Sequence, residues 1–173
     1  MTGTEQNVTR ERADLLESLG RARQFLRYTL RDLADEQAAQ RTTASELCLG
    51  GLIKHVAAVE QRWANFIVSG PAAMSHSEGS DGADWTAGFR MLPGETVAGL
   101  LDAYAAVARR TDELVASLPD LDAEQPLPEA PWFPPGACWS ARRVLLHIIA
   151  ETSQHAGHAD ILRETLDGSK SMG

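Results

Sequence analysis

The residues with the most evident chemistry lie in Val144 to Glu164, which reads VLLHIIAETSQHAGHADILRE. His147, Glu151, His155 and His158 are spaced four, four and three apart, so on a helix they share a stripe roughly 80° wide. Val144, Ile148, Ile161 and Leu162 flank that stripe, which predicts that it faces inward. Three imidazoles and a carboxylate aimed at an apolar interior are costly unless something binds them. A divalent metal meets that need, and Glu151 with His155 forms an E-x-x-x-H pair on successive turns. The bland alternative is a set of core-edge polar groups hydrogen-bonded to neighbouring helices.

A third ligand must come from another element. His55 lies among Leu52, Val56, Val59, Trp63, Phe66 and Ile67, the apolar stripe of a second helical segment. Taken alone, such a histidine reads as a core residue. Beside the E-x-x-x-H pair it completes a two-His, one-carboxylate set of His55, Glu151 and His155. Three protein ligands with an open position are the pattern of a catalytic metal. Zinc is the default, and iron, nickel and manganese accept the same donors. His158, one turn beyond His155, would back the ligands or touch substrate, and His147 would back them or simply pack.

The elements that position these residues are helical. Apolar periodicity predicts helix one over about Val8 to Leu33, helix two over Leu49 to Val68, helix three over Glu95 to Leu118 and helix four from Ser140 to Leu166, ended by Gly168. The segment from Ala34 to Cys48 reads as a polar connection. Ser69 to Pro93 reads as a long loop with Trp85, Phe89 and Met91 as packing anchors and His76 solvated. Pro119 to Trp139 is a stiff Pro-rich segment in which Trp132 and Phe133 pack or wall a pocket. No strand pattern is evident. Four amphipathic helices with long crossover loops predict an all-α four-helix bundle forming a single domain over 1–173. The loop after helix two leaves helices two and three parallel and helices two and four antiparallel, which brings His55 to Glu151 and His155. Cys48 and Cys138 then fall at opposite ends, too far apart to join. Cys48 and Ser140 both stand seven positions before a histidine as helix caps, Cys being the poorer one.

Composition narrows the function classes. The 173 residues carry a net charge of -8, which argues against nucleic-acid or acidic-membrane surfaces. No basic-then-apolar leader and no apolar run of about 20 residues is present. Two cysteines make no disulfide framework. A cytoplasmic protein is the expectation.

Leu52-Ile-Lys-His55 together with His147-x3-Glu151-x3-His155-Ala-Gly157-His158 resembles the DinB-like superfamily of metal-binding four-helix bundles, over nearly the whole chain. The usual pattern there has His at the position of Glu151 and Gln at that of His158. Glutamate at the ligand position resembles the mycothiol-dependent branch, which includes mycothiol-dependent maleylpyruvate isomerase. That isomerase has a further C-terminal domain, and the end of this chain soon after helix four favours the short thiol S-transferases. The resemblance implies a low-molecular-weight thiol as co-substrate, bound and deprotonated by the metal and transferred to an electrophile, with His158 or a metal-bound water taking the proton. Mycothiol ranks ahead of bacillithiol and glutathione, because the cations are nearly all Arg (Lys54 and Lys170 are the lysines) and suggest a GC-rich, actinobacterial-type source. Expected partners are that thiol and an electrophile, with a homodimer allowed. The other readings are a thiol-dependent isomerase, a hydrolase on the same three ligands, or a non-catalytic metal-binding stress-response bundle.

Overall fold

The computed structural model describes residues 9–74 and 88–171. Its helices are α1 (Arg10–Tyr28), a single-turn α2 (Asp35–Ala38), α3 (Leu49–Ser69), α4 (Val97–Ser117) and α5 (Ala141–Asp167). The four long ones are the predicted helices with their ends shifted by a few residues. Each has a side-chain cap: Thr9, Cys48, Thr96 and Ser140 accept from the backbone N–H of Arg12, Gly51, Gly99 and Arg143. Cys48 does this with Sγ at 3.4 Å, so the poor cap is used. Gly168 at φ 79° supplies the left-handed residue that stops α5.

The long helices form a ring in which α1 packs on α4 and α5, and α3 packs on α4 and α5. Helix directions follow from side-chain partners. His55 near the start of α3 meets His155 late in α5, and Trp63 further along meets His147 near the start of α5, so these two helices are antiparallel. Leu52 and Ile53 share one apolar cluster with Val97, and Phe66 and Ile67 share the other with Val115, so α3 and α4 are parallel. The all-α bundle with a crossover is thereby established.

The core is two apolar clusters separated by a polar layer. One is built around Leu26, Leu52, Ile53, Tyr104 and Leu162, the other around Leu19, Phe66, Val115, Leu145 and Ile148. Each long helix contributes one buried polar residue between them: Arg23, Glu60, Thr111 and Thr152. Arg23 donates to Glu60 through Nε at 3.1 Å and Nη2 at 2.5 Å, and to Asp112 at 2.8 Å. Burial and the negative charge of Glu60 push the Tyr104 phenol pKa upward.

Four expectations are corrected. The Pro-rich segment contains a short antiparallel pair, β1 (Glu124–Pro126) with β2 (Cys138–Ser140), register Gln125 opposite Trp139. Three-residue strands are too short to show alternation. The connection 34–48 holds the turn of α2, and Gly70–Met74 forms a 3-10 helix directly after α3. Ile161 is 60% exposed: it lies on the outer side of the His/Glu stripe, whereas Val144, Ile148 and Leu162 lie on the inner side. The stripe therefore runs along the edge of the buried face, not through its centre. His76 and Trp85 fall outside the described residues.

Candidate metal centre

His55, Glu151 and His155 each offer a ligand atom, and these atoms all lie within 4.8 Å of one another. Two antiparallel helices supply them: His55 from the second turn of α3, the other two from successive turns of α5. All three are partly buried, with the His155 side chain 13% and that of Glu151 31% exposed. The edge position of the stripe thus leaves the group reachable by a solute.

The electrostatics suit a cation. Burial holds the His55 pKa down at about 4, assisted by the His155 ring and Arg62. Burial also lowers His155 and His147, against the opposing pull of Glu151 in both cases. Neutral imidazole is the ligand form, so near pH 7 both histidines present lone pairs and the carboxylate supplies the charge. Tetrahedral ligands about 2.1 Å from a zinc ion would stand roughly 3.4 Å apart. Glu151 Oε2 to His155 Nε2, at 3.6 Å, is already close to that. The donor set fits a divalent metal.

The neighbouring side chains divide into two groups. His158 Nδ1 lies 3.3 Å from His155 Nδ1. With His155 Nε2 given to a metal, the proton of its neutral ring would lie on Nδ1 and be donated to His158 Nδ1. His147 Nε2 is 3.8 Å from the other oxygen of Glu151. Its ring sits edge-on to both Trp63 and Trp139, which stack on each other at 4.9 Å with Arg143 over Trp139. The β1–β2 pair fixes Trp139, and Phe133 packs against it while lining a cavity of about 530 Å³ within the Pro-rich segment. Trp132 is 75% exposed and does not line this cavity. Sequence reasoning named Trp63 and Phe133 singly but missed this aromatic wall, because the turn from β2 into α5 that sets Trp139 against His147 leaves no periodic signal.

Another cavity of about 600 Å³ lies between α1 and α4, lined by Arg23, Arg27, Arg31 and Arg109 among others. No member of the His/Glu cluster lines it. Among the described residues no helix is long and apolar enough to cross a membrane.

Residues 14–168 match the family described as MST, Mycothiol-S-transferase. No curated protein and no solved structure matches the chain. With most of its length covered by that match, and with the all-α bundle that the match implies, the chain belongs to the mycothiol-S-transferase family of the DinB-like superfamily.

Proposed function

We propose that this chain is a metal-dependent thiol S-transferase that holds a divalent metal, zinc by default, through His55, Glu151 and His155. Its substrates would be a low-molecular-weight thiol, mycothiol first, and an electrophile. The observation that carries the reading is the meeting of two burial-neutralised imidazoles and a carboxylate on a chain of this family. A metal bound there supplies Lewis acidity, which lowers the pKa of a thiol from its ordinary ~8.5 into the neutral range.

The remaining steps belong to the protein. Glu151 contributes the negative charge and shares its second oxygen with His147. The aromatic wall of Trp63, Trp139 and Phe133 keeps one flank of the site apolar, which favours thiolate attack by limiting competing water. In the reaction the S–H proton passes to water at the partly exposed edge of the site, sulfur forms a bond to the electrophilic carbon, and the leaving group departs with its electron pair. Of the roles expected for His158, backing the ligands has the better geometric support. While His158 Nδ1 accepts from His155, its neutral form carries its proton on Nε2 and has no free lone pair to act as a base. The usual Gln at this position in the superfamily could accept the same bond.

Metal analysis and turnover of mycothiol with monobromobimane test the reading. Wild-type protein should bind one metal per chain and lose thiol-dependent turnover on chelation. His55→Ala and His155→Ala should lose the metal, whereas full occupancy in both would refute the ligand set. His158→Gln should keep most of the rate and His158→Ala should not; a dead His158→Gln would restore it as the proton acceptor. Cys48 is a buried helix cap and Cys138 lies in β2, so a Cys48→Ser, Cys138→Ser variant should retain activity. Thiol-independent turnover would favour a hydrolase, and metal binding without turnover a non-catalytic protein.

A further inference from the structure

The first turn of helix α3 holds two glycines, Gly50 and Gly51, each costing about 1 kcal/mol relative to alanine inside a helix. Both are buried. A Cβ at Gly51 would stand 1.9 Å from the carbonyl oxygen of Phe89, 2.3 Å from its carbonyl carbon and 2.8 Å from the nitrogen of Arg90. These are backbone atoms and cannot step aside. A Cβ at Gly50 would meet Met91 Sδ at 2.6 Å, the mobile part of a flexible side chain. The segment carrying Phe89 is thus seated on α3 at a place where only a residue without a side chain fits. Two further contacts hold it there: Cys48 Sγ lies 3.7 Å from Phe89 O, and Arg90 pairs with Glu46 at 3.3 Å.

That seat has a chemical consequence one helical turn away. His55 follows Gly51 by four residues and so lies on the same face of α3. The Phe89 ring stacks on the His55 imidazole with centroids 4.1 Å apart and planes 24° from parallel. The His155 ring meets His55 edge-on at 4.9 Å. One face of the imidazole is covered, and its plane is set between these two neighbours. A metal ligand needs its lone pair aimed within about 10–20° of the ion, and the His55 side chain makes no hydrogen bond among the described residues to set that angle.

We propose that Gly51 and Phe89 are positioning residues for His55. The Cβ-less seat at Gly51 admits the Phe89 backbone, and the Phe89 ring then locks the His55 imidazole in the orientation that faces Glu151 and His155. The proposal rests on the metal reading given above.

The test is metal affinity by competition with a chelating dye, together with the visible absorption of the cobalt(II)-loaded protein, which reports ligand geometry independently of turnover. Phe89→Ala and Phe89→Leu should both weaken zinc binding by about 10–100-fold, the range for loss of a partner that orients a ligand. Both should alter the cobalt spectrum while the far-UV circular dichroism stays unchanged. Phe89→Tyr should restore affinity and spectrum, because it keeps the flat ring that leucine lacks. Gly51→Ala should behave as Phe89→Ala, and Gly50→Ala should bind as wild type. If Phe89→Ala and Phe89→Leu bind zinc normally with an unchanged spectrum, the positioning role is overturned. If Gly50→Ala weakens binding as much as Gly51→Ala, the seat at Gly51 is overturned. Should Gly51→Ala fail to fold, the Phe89 variants decide alone. His55→Ala separates the two levels: wild-type affinity in that variant would remove the metal reading itself, whereas loss of zinc there with normal Phe89 variants removes only this inference.

Discussion

Two regions of the bundle set polar groups against the apolar interior, and they are solved differently. At the polar layer Arg23, 6% exposed, meets Glu60, 0% exposed, through two hydrogen bonds on one carboxylate, with Asp112 taking a third. Opposite charges cancel within the protein and the lone pairs of Glu60 are used. At the edge of the same interior, His55, Glu151 and His155 gather acceptors with no protein cation among them. Burial keeps the imidazoles neutral and so leaves their lone pairs free. A closed set of partners serves the fold, whereas an open set of donors at a partly exposed edge serves a ligand. Buried polar residues in this protein should therefore be judged by whether their hydrogen-bonding capacity is filled, and not by burial alone. Two atoms fall between the extremes, since Tyr104 Oη and Thr152 Oγ1 are buried without a hydrogen-bond partner among the described residues. Thr152 immediately follows Glu151, so the incomplete part of the polar layer adjoins the open site.

The strongest test of this contrast is Arg23→Ala. Removing one partner strands Glu60 as an uncompensated buried charge, which should cost about 3–5 kcal/mol of stability by urea unfolding. Zinc affinity of the folded fraction should be unchanged. A loss below about 1 kcal/mol would mean that the pair is not the closed unit described here.

Glu151→Gln attacks the other region and should give the opposite pattern. Zinc affinity should fall by more than the roughly 10–100-fold that loss of an outer partner costs. The metal-free protein should melt no lower than wild type, because a half-buried charge has gone. A large drop in its melting temperature would place Glu151 with the structural charges.

A double replacement sharpens the comparison further. Arg23→Met with Glu60→Leu exchanges a satisfied pair for apolar volume and should stay within about 2 kcal/mol of wild type. No such apolar exchange of His55 and Glu151 should preserve metal binding. If the double variant were as unstable as Arg23→Ala, the pair would be supplying net stability through more than mutual neutralisation.

The smallest effect concerns a second closed set. Arg163 donates to the carbonyls of Thr29 and Arg31 and to Asp167, tying the end of α5 to α1. The Arg163 hydrogen bond is the main cause that lowers the Asp167 pKa from 3.8 to about 2. A depressed carboxylate stabilises the fold above its unfolded value and loses that contribution as pH falls through the folded one. Asp167→Asn should therefore lower the melting temperature slightly above about pH 4 and leave it unchanged below about pH 2. An equal decrement at every pH would point to packing, not charge.

Much of this was legible in the amino-acid order. Periodicity in three long segments, and the spacing of His147, Glu151 and His155 in the fourth, specify helices and place the site residues on one stripe, because helical geometry is local. Phe89 and Met91 stood out as loop anchors for the same reason that any large apolar side chain in a polar segment does. The signal for the polar layer was also present: Glu60 stands four residues after Val56, and Arg23 four after Leu19, at core spacing. Their opposite charges could have been paired on that evidence, but nothing in either helix alone says that the other lies across the interior.

What only the tertiary structure decided is where separate segments meet. It put the His/Glu stripe at the edge of the buried face, exposing Ile161, because α5 turns its central face toward α1 and α3. It brought Trp139 to His147 through a strand pair too short to leave a pattern. It laid Phe89 over His55 through a backbone approach that Gly51 permits. Each of these depends on how separate elements approach one another, and local periodicity carries no information about that.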